Sequence, residues 1–417
     1  MDECNAPHFP LDGAAAEVIA GALKAPAIGR VRAIQVGWPI QAAWLGSCLS
    51  RLLGFAANNF RFNMLVRQLR RFVSPPKCLE LDSLSDSHEC GLFLKSTGNR
   101  NSDGNLIYII RQNGSGRGLF SIVSSTLCHL HLAERFGLIP VVDLRSVKTE
   151  YDDRQFMETD RFKRQNPWDF FFEPVSSLSC ESTFEDRTVL ASSKGFPDGY
   201  PRKMLVSHVQ ELRDVAIKYI KVAPDLAEEL EKTKREILSG YHVLGVHFRG
   251  QEQKTMPFHP LSPTLAQMFS AIDLAISKYG FDRIFVASED LDYVDAVLSR
   301  YRDKAITLPH FRTRSPVNAY RIMPRDKHKY LLGKEILFDA FILSACDGLV
   351  SSTSNVTEFA RAYNNGKYKL DLVIDNGLNA ANPKVARHFW SVKNFLPAKL
   401  GGFSDQAIQH FPDINSQ

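Results

Sequence analysis

The chain has 417 residues, of which 44% are hydrophobic and 23% charged, and its formal net charge is +5. This length exceeds one typical hydrophobic core, so two domains are expected, and the composition excludes disordered and fibrous proteins. The mild positive charge permits an anionic small-molecule ligand but lacks the concentrated basic surface of a nucleic-acid-binding protein, so no nucleic-acid partner is predicted.

Residues 1–104 are predicted to be an appendage, because they show no alternation of strands and helices. No secretory signal is recognisable. The uncharged stretch 33–50 is interpreted as a packed or interfacial helix in preference to a membrane span, since it contains Gln, Pro and Ser. A basic and apolar helix over 60–72 allows peripheral contact with anionic lipid, although a solvated helix face is the simpler interpretation.

Seven cysteines are scattered without a Cys-x-x-Cys pair, so free or buried thiols are expected. The Asn355-Val-Thr sequence is a glycosylation motif, but it falls at a predicted ligand-binding helix start where a glycan would obstruct binding. Both features favour a reducing cytoplasm, with the cytoplasmic membrane as a peripheral option. The cysteines and histidines lack zinc-ligand spacing and Asp290-Leu-Asp292 suits a helix start, so no metal is predicted.

The predicted N-terminal domain covers 105–239. Its first elements are predicted as a strand (106–110), a glycine-containing loop (113–118), a helix (119–136) and a strand (138–143). The loop misses the dinucleotide-binding spacing, so a tight turn explains it as well as a binding loop does. Residues 151–200 are expected to be irregular and aromatic, and 204–239 to form bridging helices broken at Pro224.

The predicted C-terminal domain, 240–417, alternates strands and helices regularly. Strands are predicted at 243–248, 283–287, near 306, 348–351 and 370–374. Helices are predicted at 263–278, 291–301, 334–346 and 355–363. This alternation implies a parallel sheet with helices on both faces. The predicted fold class is therefore α/β, with two such halves enclosing a cleft.

The strand over 243–248 ends in His247 and Arg249, with Glu252 shortly after. Ligands of open α/β sheets bind beyond the carboxyl ends of parallel strands, where an arginine suits a phosphate or carboxylate. For an isolated His-x-Arg sequence, an arginine that only pairs with a nearby acid is the competing interpretation. Further polar groups at the same edge decide between the two.

Two acidic residues lie at or near this edge. Asp290 follows the next strand, where it either caps the following helix or binds a base or ribose hydroxyl. Asp339 lies among apolar residues of a helix, and a buried carboxylate needs a partner. Arg249, a sugar hydroxyl or the edge of a purine would each supply that partner. The other interpretation is that Asp339 is exposed, on a helix that is buried only on one side.

Thr353, Ser354 and Asn355 lie between a strand and a helix, with Asn355 and Glu358 at capping-box spacing. Hydroxyl groups and unsatisfied N–H groups at a helix start form a phosphate site. Ordinary capping needs only one of these residues. Together with Arg249, the segment predicts a receptor for the diphosphate of a nucleotide.

Four motifs occur in order over roughly residues 105–375: His247-Phe-Arg249 with Phe258-His-Pro260 after it, Ser288-Glu-Asp290, Leu337-Phe-Asp339 and Thr353-Ser-Asn-Val356. They resemble those of the fucosyltransferase superfamily, specifically the α1,6-fucosyltransferases, the bacterial nodulation-factor fucosyltransferase and, more distantly, the protein O-fucosyltransferases. The resemblance implies two Rossmann-like domains facing each other in the GT-B arrangement. It also implies GDP-fucose as donor, a glycan acceptor, inversion at the anomeric carbon and no metal or cofactor.

Carried over residue by residue, the resemblance implies that Arg249 holds the β-phosphate and that His247 supports it or contacts the ribose. Asp290 and Asp339 would recognise guanosine and position the arginine, while Thr353 and Ser354 would bind phosphate. Each role is an expectation that depends on the position of the side chain in the fold.

The chain departs from the family at Gly250, where the α1,6 enzymes have a second arginine, at Glu252, near their aspartate, and in a shorter spacing to Phe258. These differences leave the acceptor, the base and the sugar open. Glu252 is the predicted base, with an exposed loop acid as the alternative. A transferase using another nucleotide sugar and a catalytically silent nucleotide-sugar-binding protein are the competing functions. The oligomeric state is not specified.

Overall fold

A computed structural model provides the structure of the protein. It describes residues 92–96, 106–111, 117–153, 166–178, 180, 183, 188–192, 195–197, 209–315 and 319–411. The predictions for the uncharged stretch 33–50 and the basic helix 60–72 lie outside this part of the chain.

The strands and helices of the described residues follow in chain order. The strands are β1 (Leu92–Ser96), β2 (Ile107–Ile110), β3 (Ile139–Val142), β4 (Thr188–Ser192), β5 (Val243–His247), β6 (Arg283–Ala287), β7 (Ala305–Ile306), β8 (Gly348–Ser352), β9 (Leu370–Ile374) and β10 (Ile408–His410). The α-helices are α1 (Leu119–Arg135), α2 (Val209–Tyr219), α3 (Pro224–Leu238), α4 (Gln251–Thr255), α5 (Leu265–Tyr279), α6 (Leu291–Tyr301), α7 (His328–Ala345), α8 (Asn355–Asn364) and α9 (Pro383–Phe395).

The N-terminal sheet has the strand order β1-β4-β2-β3. Strand β2 pairs in parallel with β3 and β4, and β1 is antiparallel to β4. Two of these strands were not predicted: β1 lies in the segment assigned to the appendage, and β4 lies in the region 151–200 that was expected to be irregular. Both strands are short and are formed by pairing with distant segments, which a local pattern does not encode.

The C-terminal sheet has the order β10-β9-β8-β5-β6-β7 and is parallel except for β10. Successive side chains of β6 point to opposite faces of the sheet and belong to different hydrophobic clusters. Phe285 packs with α7 and α8, whereas Ile284 and Val286 pack with α5 and α6. Every residue of β5 and β8 is buried, as expected for parallel strands covered on both faces. The predicted α/β class, with helices on both faces of this sheet, is confirmed.

A layer of helices consisting of α1, α2, α7 and α8 packs between the two sheets. The ring centroids of Phe120 in α1 and Phe359 in α8 are 4.8 Å apart, and Phe341 of α7 lies 5.3 Å from Phe359. Burial of such a ring contributes about 2–3 kcal/mol to stability. Helix α1 follows β2 and α8 follows β8, so the helices that leave the two sheets pack against each other in this layer. The two sheets are thus joined through one shared layer of helices.

Helix α7 approaches the N-terminal half closely at Gly333. A Cβ atom there would lie 2.3 Å from Phe171 Cζ, so a larger residue would displace the ring. The rings of Phe171 and Tyr330 stack at 5.6 Å, and the N–H of Tyr330 donates to Asp153 Oδ2 at 2.9 Å. These contacts stabilise the first turns of α7, which begins at His328 and so before its predicted start.

Three cysteines within the described residues, Cys128, Cys180 and Cys346, are buried free thiols. Burial raises the pKa of the Cys128 thiol to about 12, so this side chain is a core residue and not a nucleophile. None of the helices in the described ranges combines the length and the apolar character needed to cross a membrane.

Candidate functional site

The candidate site lies outside the carboxyl ends of β5 and β8. From β5 the chain continues through β6 to β7 on one side of the sheet, and β8 and β9 are added on the other side. Such a reversal opens a crevice between the helices that leave the two central strands, and ligands of α/β sheets bind there. His247 at the end of β5 pairs in register with Ser351 of β8. The strand end with His247 and Arg249 and the segment 353–355 are therefore neighbours.

His247 is 5% exposed, and its Nδ1 atom has no hydrogen-bond partner. Burial lowers the pKa of His247 to about 4; the charge of Asp339 opposes the decrease, and the cations Arg249 and Arg361 reinforce it. The imidazole is therefore neutral at neutral pH. A neutral ring offers one nitrogen as donor and the other as acceptor, and leaving such an atom buried without a partner costs about 1–3 kcal/mol. A bound ligand would supply the missing hydrogen bond.

The free energy of unfolding is expected to fall as the pH is lowered from 6.5 towards about 4. In this window the unfolded chain binds a proton at His247 and the folded protein does not, whereas above it both states are neutral. Urea unfolding at several pH values should show that His247→Gln loses this part of the pH dependence, while His410→Gln, at an exposed histidine, retains it. An unchanged profile for His247→Gln would contradict the proposed burial of a neutral ring.

Arg249 lies at the entrance to the crevice, with 28% of its side chain exposed and its Nε 3.7 Å from Glu289 Oε1. Ser262 Oγ lies 2.8 Å from the carbonyl oxygens of both Arg249 and Gly250, so the loop backbone is held in place. The guanidinium group is thus accessible on a rigid support. The pair with Asp339 that the sequence suggested is not formed between these two described side chains.

Asp339 instead faces the loop that follows β7. Its Oδ1 lies 3.0 Å from His310 Nδ1, but the angles do not suit a hydrogen bond and both atoms keep unused hydrogen-bonding capacity. Arg312 is close by: burial lowers its pKa, the charge of Asp339 opposes this decrease, and its Nε has no hydrogen-bond partner. The loop that follows β7 therefore brings buried polar atoms without hydrogen-bond partners to this edge of the sheet.

Sequence reasoning missed His310 and Arg312, although a signal was present. The tripeptide His-Phe-Arg at 247–249 recurs at 310–312. The first copy begins at the last residue of β5, and the second lies shortly after the end of β7 in the same sheet. Carboxyl ends of parallel strands share one edge, so the second copy could have been assigned to the site.

The start of α8 contributes hydroxyl and N–H groups. Ser354 is the N-cap, and its Oγ accepts a hydrogen bond from the N–H of Thr357 at 3.2 Å. The predicted capping box is wrong by one residue, because Asn355 is the first helical residue and not the cap. Thr353 and Asn355 are half-buried, and the buried Ser352 Oγ has no hydrogen-bond partner. The N–H groups of a first helical turn favour an anion, so this segment can accept a phosphate.

Asp290 lies behind the crevice in a structural position. It is fully buried, its Oδ1 accepts the N–H of Asp292 at 3.0 Å, and its Oδ2 lies 3.1 Å from Lys254 Nζ. The capping alternative is thus the one that the structure shows. A carboxylate with no exposed surface does not fit the donor contact expected of Asp290, and its position supports α6 and Lys254 instead.

Gly250→Ala is expected to destabilise the protein by about 1–3 kcal/mol through overpacking. A Cβ atom at Gly250 would lie 2.1 Å from Asp290 Oδ2, and Asp290 cannot move without losing its cap and its contact with Lys254. Any larger side chain at this position would meet the same contact. The matched control is Gly118→Ala, whose Cβ would meet Tyr151 Oη at 3.7 Å. Equal urea midpoints for the two variants would show that the loop relaxes.

Arg361, a buried residue of α8, fixes the position of the end of β8. It is 5% exposed and donates to Asp371 at 2.6 and 2.8 Å and to Ser351 Oγ at 2.7 Å. All of these contacts join α8 to β8 and β9. Arg361 therefore positions the strand end next to His247 and adds positive charge beneath the site.

Glu252 lies in α4, and its side chain is outside the part of the chain that the structure describes. Its role as a base stays a prediction. Metal independence also stays a prediction, although no group of three or more His, Cys, Asp or Glu side chains in the described segments could hold a metal ion.

The chain was compared with known proteins. No protein-family model matches it, and no curated protein matches it. Among solved structures, it is similar to the fucosyltransferase NodZ from Bradyrhizobium, with 17% identity and a TM-score of 0.40 over 65% of this chain and 96% of that chain. It is also similar to POFUT1 in complex with GDP, with 13% identity and a TM-score of 0.35 over 61% and 94% of the two chains.

A third similar structure is a point mutant of FUT1 of Arabidopsis thaliana in complex with GDP, with 12% identity, a TM-score of 0.39 and 75% of each chain covered. Identities and TM-scores this low do not assign an activity to this chain. The functional conclusion therefore depends on the residues of the crevice.

Proposed function

We propose that this protein is a glycosyltransferase that moves fucose from GDP-fucose to a hydroxyl group of a glycan acceptor, with inversion at the anomeric carbon and without a metal. The observation that carries the proposal is the set of polar groups in the crevice. His247 Nδ1 and Ser352 Oγ are buried without partners, next to the accessible Arg249 and the N-terminus of α8. A diphosphate would satisfy these groups with its oxygen atoms and its charge.

The same groups suit the departure of the nucleotide. When the bond to the sugar breaks, negative charge develops on the diphosphate, and fixed cations and N–H groups stabilise it most when they are already in place. Ser262 holds the backbone of Arg249, and Arg361 holds the end of β8. The site therefore needs little rearrangement as charge develops.

An inverting transfer also needs a base that removes the proton of the acceptor hydroxyl. We propose Glu252 for this role, because α4 begins shortly after Arg249 and brings residue 252 close to the crevice. The choice of guanosine and fucose follows from the resemblance of the ordered motifs, since a phosphate-binding site by itself does not encode the sugar.

Calorimetric titration with GDP, GDP-fucose, GDP-mannose and UDP-glucose tests the donor. We expect GDP and GDP-fucose to bind most tightly. Tight binding of UDP-glucose without binding of GDP would contradict the proposal. Binding of GDP without release of GDP from GDP-fucose, across a broad panel of glycan acceptors, would favour a catalytically silent nucleotide-sugar-binding protein.

A further inference from the structure

Helix α9 (Pro383–Phe395) packs against α4 at the surface of the C-terminal half, and Ala386 is its one buried residue. Its apolar residues Val385, Val392 and Phe395 are 50%, 53% and 89% exposed. At 3.6 residues per turn, these three side chains fall within an arc of roughly 80° on the helix surface. They form a convex apolar ridge on the described part of the molecule.

Further exposed apolar residues border this ridge. Asn379 joins the segments that carry them: its N–H donates to the carbonyl of His259 at 2.8 Å, and its side-chain amide donates to the carbonyl of Ala386 at 3.1 Å. We call the combined patch the α9 surface, which consists of Met256, Phe258, Leu378, Val385, Val392, Phe395 and Leu400. It contains seven of the twelve large hydrophobic residues that are exposed in the described ranges, and they come from segments that adjoin α9.

The α9 surface is also basic. Residues 376–404 contain Lys384, Arg387, Lys393 and Lys399 and no Asp or Glu. Lys384, Arg387 and Lys399 are exposed. A helix that combines exposed apolar residues with lysine and arginine is typical of helices that lie in the interface of an anionic bilayer.

Charge and shape favour a lipid surface over other occupants. A second copy of this patch would bring like charges together, which opposes self-association. The pocket described next to α9 is lined by Trp390, Asn394 and Leu396 and not by the three residues of the ridge. A fluid bilayer accepts a convex apolar surface without a matching pocket. Anionic headgroups supply the opposite charge that the lysines and arginine require.

We infer that the α9 surface binds the surface of an anionic lipid bilayer. Phe395 and Leu400 enter the boundary between headgroups and acyl chains, and Lys384, Arg387 and Lys399 contact lipid phosphates. Asn379 connects this surface to α4, which begins shortly after Arg249. The inference does not depend on the identity of the donor or the acceptor.

Co-sedimentation of the full chain with vesicles tests the inference. We expect binding to vesicles of phosphatidylcholine mixed with phosphatidylglycerol, weaker binding to phosphatidylcholine alone, and a decrease with added salt. Phe395→Asp combined with Leu400→Asp should lower the affinity at least ~10-fold, because apolar insertion is lost. Lys384→Gln combined with Arg387→Gln should lower it to a similar extent, at roughly fivefold per charge.

The matched control is Ile217→Asp, at a residue of α2 that is 44% exposed and lies outside the α9 surface. It should bind vesicles as the unmodified chain does. The inference is overturned if the α9 variants bind as tightly as this control, because the lipid contact then lies elsewhere, or if the unmodified chain does not bind the anionic vesicles. It is also overturned if light scattering shows that Phe395→Asp converts a dimer into a monomer without affecting lipid binding. Circular dichroism confirms that each variant is folded.

Discussion

Replacement of Arg249 by alanine is expected to lower kcat/KM for GDP-fucose by at least ~100-fold. The guanidinium group is accessible at the entrance to the crevice, beside the neutral His247 and the start of α8. Without it, the charge that develops on the departing diphosphate loses a cation that is already in place. The measurement is the rate of GDP release from GDP-fucose in the presence of a panel of glycan acceptors.

Two comparisons separate this catalytic role from a structural one. Arg249→Lys retains a charge but not the two-pronged geometry, so it should recover only part of the activity. Arg314→Ala removes an arginine that is 57% exposed and pairs with Asp292, and it should leave GDP release unchanged. If Arg249→Ala instead unfolds the protein, as seen by circular dichroism, then Arg249 is a structural residue that holds the loop.

Replacement of Arg361 by methionine is expected to lower the free energy of unfolding by about 3–5 kcal/mol, because it leaves a carboxylate without its buried partner. Asp371 receives two hydrogen bonds from Arg361, and Ser351 Oγ accepts a third. Affinity for GDP should fall as well, since Ser351 lies beside His247 at the strand end. Urea unfolding and calorimetric titration with GDP measure the two effects.

A double variant tests the cause of this loss. Combining Arg361→Met with Asp371→Leu removes both charges, so it should recover most of the lost stability. The matched control is Arg300→Met, which breaks an ion pair with Asp273 in which both side chains are about half exposed. It should have a much smaller effect, because solvent screens that pair. If the double variant is as unstable as Arg361→Met, lost packing and not the unpaired carboxylate is the cause.

The strands and helices around the site were largely predictable. The helix Leu291–Tyr301 and the strands Arg283–Ala287 and Leu370–Ile374 have the bounds that the sequence indicated. Their apolar periodicity is repeated over consecutive residues, and helix caps such as Asp290 mark where they begin. The strands β1 and β4 were missed because their pairing joins residues up to one hundred positions apart, as between Leu92 and Ser192.

The site residues were predictable as positions but not as contacts. Strand ends placed His247 and Arg249 at one edge, and a run of hydroxyl residues placed Ser354 there too. The sequence did not show that Asp339 faces His310, nor that Asp290 is buried against Gly250. Such contacts depend on the angles at which α7 and α6 pack, and these angles are set by the whole core.

By itself, the sequence determined the α/β class, the order of elements in the C-terminal half and the strand ends where polar residues collect. Local periodicity and capping specify these features, because each depends on a few consecutive residues. Only the tertiary structure decided which polar groups are buried without partners and which are paired. Arg361 is held by Asp371, whereas Ser352 Oγ is not satisfied. The physical reason is that burial and pairing arise where segments far apart in the chain pack together.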